Sequence, residues 1–205
     1  MHLIGMLDSP YVRRTAVSLR LMELPFTHEA VSVFRHFDHF ATINPVVKAP
    51  TLVTDSGIVL MDSTLILDHA ERLADPAHSL EPSDIAAHAR GQRIVGLALA
   101  ACEKAVQIVY EHNLRPAEKL HQPWLDRVAG QLGAALRLLD AELAGTEGWL
   151  FGERPMQPDV TAAVAWTFIR HNVPDHLPEG AYPAIVALSA RAEALPAFTD
   201  YPHSV

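Results

Sequence analysis

With 205 residues, the chain has room for one large domain or two small ones. Its hydrophobic fraction of 49% and charged fraction of 20% are those of a folded globular protein, and no apolar run is long enough to span a membrane. A formal net charge of -8 argues against nucleic acid as the main partner, because such binding leans on Lys and Arg, although a local basic patch can still hold an anionic ligand.

Cys102 is the single cysteine, which excludes an internal disulfide framework and suits the cytoplasm. The start, "MHLIGMLDSP", lacks the basic segment, apolar core and cleavage site of a secretory signal.

The first ~75 residues alternate strand and helix patterns. "HLIGML" reads as a strand. From Pro10 to Leu24, Val12, Ala16 and Leu19 recur at helical spacing beside a second stripe of Val17, Leu21 and Leu24. That predicts a helix buried over a wide face. Proline suits its first turn, where an N–H would have no helical partner. "FTHEAVSV" reads as a second strand, and strand–helix–strand at this length implies a right-handed crossover with parallel pairing. Residues 34–43 give no clear period. "TLVTD" and "IVLMD" are strands joined through Ser56-Gly57, a hairpin signal. Ile66, Ala70 and Leu73 mark a helix opening at Ser63. The order predicts a small α/β domain with a mixed sheet over residues 1–75.

"LADPAHSLEPSD", residues 73–84, is rich in Pro, Ser and Asp and reads as a linker. Beyond it, residues 84–205 are predicted to be an all-α bundle. Its four apolar faces are Ile94 to Ile108, Leu125 to Leu143, Val160 to Phe168, and Ile185 to Leu195.

Four segments sharpen this layout: "SPYVRR" after the first strand, "NPVVKAPTLV" before the hairpin, "LMDS" after it, and "FGERPMQPDVTAAVAW" at the start of a buried helix. In this order and spacing the chain resembles the soluble bacterial glutathione S-transferases, in particular those with a serine-type N-terminal motif. The resemblance implies a thioredoxin-like glutathione-binding domain followed by a helical substrate-side domain. It also implies a cytoplasmic homodimer that joins the glutathione thiolate to a small hydrophobic electrophile, a detoxification chemistry. Glutathione would be a co-substrate, with no metal, nucleic acid or membrane involved. A glutathione-dependent isomerase, dehalogenase or peroxidase is the alternative on the same site. A non-catalytic binding module of this fold is the rival from another class.

The resemblance also distributes roles. Ser9 would donate to the thiolate, with Tyr11 as the other candidate donor; read as sequence alone, Ser9 is equally a helix N-cap. Arg13 and Arg14 add positive potential if they point inward, but charges on a helix ordinarily lie in solvent. A cis peptide before Pro50 would turn the backbone of Ala49 toward a peptide lying as an added strand; without the family, Pro50 is simply a proline at a strand start. Asp62 and Ser63 would hold the γ-glutamyl ammonium and carboxylate, or only cap a helix. Most relatives carry Glu where this chain has Asp62, one methylene shorter. Lys48 and Arg35 are candidates for the glycyl carboxylate, against the reading of surface charges. The electrophile would lie between the domains, against the helix carrying Tyr110. His36, Asp38 and His39 make only a weak metal pattern without a further cluster. Met156 stands where relatives have Ser or Thr, three residues before Asp159, so half of a helix cap is missing.

Overall fold

The computed structural model describes residues 1–204. The chain divides into two compact units, residues 1–81 with 194–205, and residues 82–193.

The first unit begins with β1 (His2–Ile4), α1 (Pro10–Leu21) and β2 (Thr27–Glu29). A helix α2 (Phe37–Ile43), strands β3 (Thr51–Val53) and β4 (Val59–Met61), and α3 (Ser63–Glu71) follow. The sheet order is β2-β1-β3-β4. β1 and β2 run parallel, as the intervening helix requires. β3 pairs antiparallel with both β1 and β4, so the hairpin forms where Ser56-Gly57 signals it.

Side chains alternate across the sheet. Leu3 and Leu52 face a core built with Val12, Ala16 and Leu19 of α1 and Ile66 and Ala70 of α3. Ile4 faces the other side with Val31 and Phe40, and this second core is what α2 covers. The unclear period at 34–43 therefore hides a short helix anchored by one fully buried aromatic, Phe40.

Two stretches of this unit differ from their sequence patterns. The run "FTHEAVSV" supplies a strand of only three residues. The linker-like segment is tied down: Glu71 accepts from the Leu80 N–H and the Ser79 hydroxyl, both at 2.8 Å. Leu80 is fully buried with α1 and α3.

In the second unit, α4 (Ile85–Leu114), α5 (Gln122–Leu143), α6 (Gln157–Asn172) and α7 (Pro183–Glu193) pack as a bundle. Gln157 to Ile169 are all buried, which makes α6 the central helix. Gly91 lets α4 approach it closely, since a Cβ there would stand 3.1 Å from Pro158 Cγ. The Asp159 carboxylate accepts from the Leu150 and Met156 N–H groups, each at 3.0 Å. One residue thus fixes the start of α6 without a hydroxyl at position 156. Burial pushes the Asp159 carboxyl up from its usual range, opposed by those backbone bonds. The alanine-rich face of α4, Ala98, Ala101 and Ala105, is consumed inside the bundle, so it offers no surface to a second subunit.

The pattern of the last helix runs on toward the C-terminus, but residues 194–205 group with the first unit. They carry a four-residue helix α8 (Pro196–Thr199), with Phe198 fully buried. The cause is Arg13. Its guanidinium donates to the carbonyls of Tyr201 (2.8 Å) and Phe198 (3.5 Å) and lies over the Phe198 ring.

Candidate functional site

Ser9 and Tyr11 open α1, Lys48, Ala49 and Pro50 lead into β3, and Asp62-Ser63 joins β4 to α3. All lie in the first unit. Two residues that are easily overlooked set this geometry. Gly5 ends β1 at φ +140°, and a Cβ there would meet Val12 Cγ2 at 2.6 Å and the Ala49 Cβ at 3.1 Å. Only glycine permits that approach, and it brings the first turn of α1 and the Ala49 segment to the same strand end. Asn44 is buried and braces the loop: its Nδ2 donates to Thr51 Oγ1 (2.9 Å) and its Oδ1 accepts from the Val46 N–H (3.0 Å). Thr51 Oγ1 in turn donates to the Lys48 carbonyl at 2.7 Å. Val47 is held in the left-handed region at φ 51°, a conformation that costs a β-branched residue about 1–3 kcal/mol. The Ala49-Pro50 peptide is cis.

Ser9 caps α1 in an extended conformation, and its Oγ accepts the Val12 N–H at 3.4 Å. The Ser9 carbonyl accepts the Arg13 N–H at 3.0 Å. The first of these bonds occupies one of the N–H groups that would otherwise face a bound anion, and the second is the first backbone bond of the helix itself. The Ser9 hydroxyl proton remains to be donated, since an accepting hydroxyl keeps its O–H.

Asp62 sits at φ 72° and caps α3 through Oδ1, which accepts the Thr64 N–H at 2.9 Å. Ser63 is buried, and its Oγ accepts from Arg14 Nη1 at 3.2 Å. Arg13 and Arg14 are 1% and 2% exposed, so neither is a solvated charge. Arg13 is spent on the C-terminal tail, whereas Arg14 reaches the start of α3.

Lys48 and Arg35 are exposed, Arg35 between β2 and α2. Tyr110 is 45% exposed on α4 and belongs to the second unit. His39 pairs with Glu29 at 3.2 Å, and His36 Nδ1 accepts the Ser32 N–H at 3.3 Å. Among the described residues no group of three or more His, Cys, Asp or Glu side chains is arranged for a metal ion. Among them, too, no helix is long and apolar enough to cross a membrane.

Family models match both halves of the chain: the glutathione S-transferase N-terminal domain over residues 3–78, and the C-terminal domain over residues 122–191. The chain belongs to the glutathione S-transferase family. Its first unit is the thioredoxin-like domain of that family and its second the helical one. Among relatives of this chain, an uncharacterised GST-like protein of Escherichia coli K12, YibF, is 30% identical over 145 residues, covering 70% of each chain. A maleylacetoacetate isomerase of Pseudomonas aeruginosa is 30% identical over 162 residues, covering 72% of this chain and 71% of that one. A crystal structure of a glutathione S-transferase from Methylobacterium radiotolerans, in complex with glutathione sulfonate, has a TM-score of 0.88 at 27% identity. It covers 100% of this chain and 95% of the other.

Proposed function

We propose that the protein is a cytoplasmic glutathione transferase that adds the glutathione thiolate to a small electrophile. The observation that carries this is the assembly of Ser9, the Ala49-Pro50 segment and Asp62-Ser63 in one unit, with Gly5 bringing α1 and Ala49 to a single strand end. The Methylobacterium relative with bound glutathione sulfonate supports the ligand class.

The chemistry follows from the donors. A free thiol ionises at about 8.5, so little of it is nucleophilic thiolate at neutral pH. Shifting that value down by about two units requires roughly 2.7 kcal/mol of preference for the anion. The Ser9 O–H supplies one donor to sulfur, and the dipole of the 12-residue α1 adds to it. Tyr11, half-buried two residues on, is the second candidate donor. The backbone of Ala49 pairs with the cysteinyl unit. Ser63 takes the γ-glutamyl carboxylate and the free oxygen of Asp62 its ammonium. Lys48 and Arg35 are the cations offered to the glycyl carboxylate. Tyr110 is offered to the electrophile.

A glutathione-dependent isomerase is the second reading, favoured by the match to maleylacetoacetate isomerase. Calorimetric titration with glutathione, followed by a panel of electrophiles and cis-trans isomerisable dienoic acids, tests both. Conjugate formation supports transfer, and isomerised product without conjugate supports the isomerase. Glutathione binding with neither product leaves a binding module. No binding at all removes the proposal.

A further inference from the structure

The carbonyl of Gly5 meets a side chain where a continuing sheet would supply a backbone donor. β1 and β2 run parallel. The register that puts the Thr27 N–H on the Met1 carbonyl at 3.0 Å would, four residues further along both chains, put the Val31 N–H on the Gly5 carbonyl. β2 breaks off first. The Val31 N–H turns back onto the Glu29 carbonyl at 3.1 Å, and His28 Nε2 lies 2.8 Å from the Gly5 oxygen in its place. A carbonyl only accepts, so Nε2 carries the proton and donates. The imidazole thus replaces the ladder at the point where the chain leaves the sheet for α1.

We propose that His28 is a positioning residue: it fixes the Gly5 carbonyl, and through it the turn that carries Ser9, while Tyr201 of the C-terminal tail holds the imidazole in place. This rests on the glutathione reading of the site. Glycine constrains its own dihedrals less than any other residue, so the direction in which the chain leaves Gly5 depends on the bonds of its peptide groups. Its N–H is tied to the Glu29 carbonyl at 3.0 Å, and its carbonyl to His28. Met6, Leu7 and Asp8 separate Gly5 from Ser9, and the Ser9 N–H closes that turn on the Met6 carbonyl at 3.2 Å. A rotation of the Gly5–Met6 peptide therefore reaches the Ser9 hydroxyl through one short turn. A displacement of about 1 Å at a reacting group can cost about 100-fold in rate. The imidazole is half-buried. Tyr201 meets it edge-on, with ring centroids 6.3 Å apart and planes at 81°, and is itself stacked on Phe26 at 5.4 Å. The Tyr201 carbonyl accepts from Arg13 Nε at 2.8 Å. The tail, β2 and α1 are thereby linked through Tyr201, all within the first unit, and the tail gains a task at the thiol end of the site.

The test uses His28→Phe, which keeps a ring and removes the donor, and His28→Gln, whose amide can donate from about the same place. In the unliganded protein, hydrogen exchange should show the Ser9 amide losing protection in His28→Phe and regaining it in His28→Gln. With glutathione bound, the thiolate absorbance midpoint of His28→Phe should rise by about half to one pH unit, the effect of one hydrogen bond, while glutathione affinity stays near wild type. His28→Gln should recover most of that shift. In a Ser9→Ala background His28→Phe should add no further shift, because His28 acts through Ser9. Tyr201→Leu should move the midpoint the same way by less, and no shift there strikes the tail from the proposal. Should His28→Phe not fold, His28→Leu gives the same comparison. An unchanged midpoint, with or without a lowered melting temperature, overturns the proposal and leaves His28 purely structural, as does an equal shift in the Ser9→Ala background. Failure of wild type to bind glutathione overturns the glutathione reading instead, and exchange of the Ser9 amide then decides by itself whether His28 fixes the turn.

Discussion

Replacing Arg13 by methionine tests how the C-terminal tail is held. The side chain is 1% exposed and donates from Nε to the Tyr201 carbonyl at 2.8 Å. A charged bond of that length contributes about 1.5–3 kcal/mol. The second bond, to the Phe198 carbonyl at 3.5 Å, is at the limit of hydrogen-bond length and adds little. The guanidinium also lies 5.4 Å from the Phe198 ring centroid, a contact worth about 1–2 kcal/mol when desolvated. Methionine refills most of the stem volume and removes the cost of a buried charge, which offsets part of the loss. A net loss of about 3 kcal/mol is expected. The exposed Arg20–Asp200 pair at 3.1 Å cannot replace Arg13, because such pairs contribute under about 1 kcal/mol. Nor does the four-residue α8 hold itself together. Phe198 and the Phe26–Tyr201 ring stack still anchor the segment, so the variant should fold with a loosened tail. Denaturant unfolding and hydrogen exchange of residues 196–203 measure both effects. A loss below about 1 kcal/mol with unchanged tail protection would mean that Arg13 does not hold the tail.

Asn44→Ala removes the acceptor of the Val46 N–H and the donor to Thr51. It should cost about 2 kcal/mol and weaken glutathione binding through the Ala49 segment. Lost affinity at unchanged stability would instead place Asn44 in direct ligand contact. Asp159 has a raised carboxyl in the folded state because of burial. From about pH 3.8 upward to that raised value the folded chain holds a proton the unfolded chain has released, so stability falls as pH rises through this window. Asp159→Asn should flatten that slope in unfolding measured across it, and an identical slope would contradict the assignment. The protein should sediment as a homodimer of twice its 22.5 kDa chain mass. Ile58, Val59, Met61 and Leu65 at the β4 edge and on α3 are large apolar side chains left exposed. Met61→Glu should shift it toward monomer, and a monomer at micromolar concentration in wild type would count against the dimer.

The elements easiest to read in the sequence are those with local punctuation. Ser9-Pro10 starts α1, Ser56-Gly57 turns the hairpin, and Asp62-Ser63 starts α3, because caps and turns are set by a few neighbouring residues. The bundle helices were legible from their period alone. What escaped was set by distant partners. Arg13 and Arg14 look like solvated charges until the tail and α3 return to meet them. Gly5 looks like an ordinary loop glycine until Val12 and Ala49 close on it. Asn44 opens "NPVVKAPTLV", and its burial depends on Thr51 folding back. α2 was hidden because one aromatic, Phe40, carries its packing instead of a repeating stripe.

The ultraviolet absorbance of bound thiolate, titrated with pH, measures whether Ser9 activates the glutathione thiol, the step on which the proposed transfer depends. Wild type should ionise the bound thiol well below its free value of about 8.5. Ser9→Ala should return the midpoint toward that value while glutathione remains bound, and Tyr11→Phe should leave it where wild type has it. An unchanged midpoint in Ser9→Ala would remove Ser9 as the activating donor, and a raised one in Tyr11→Phe alone would move the role to the phenol.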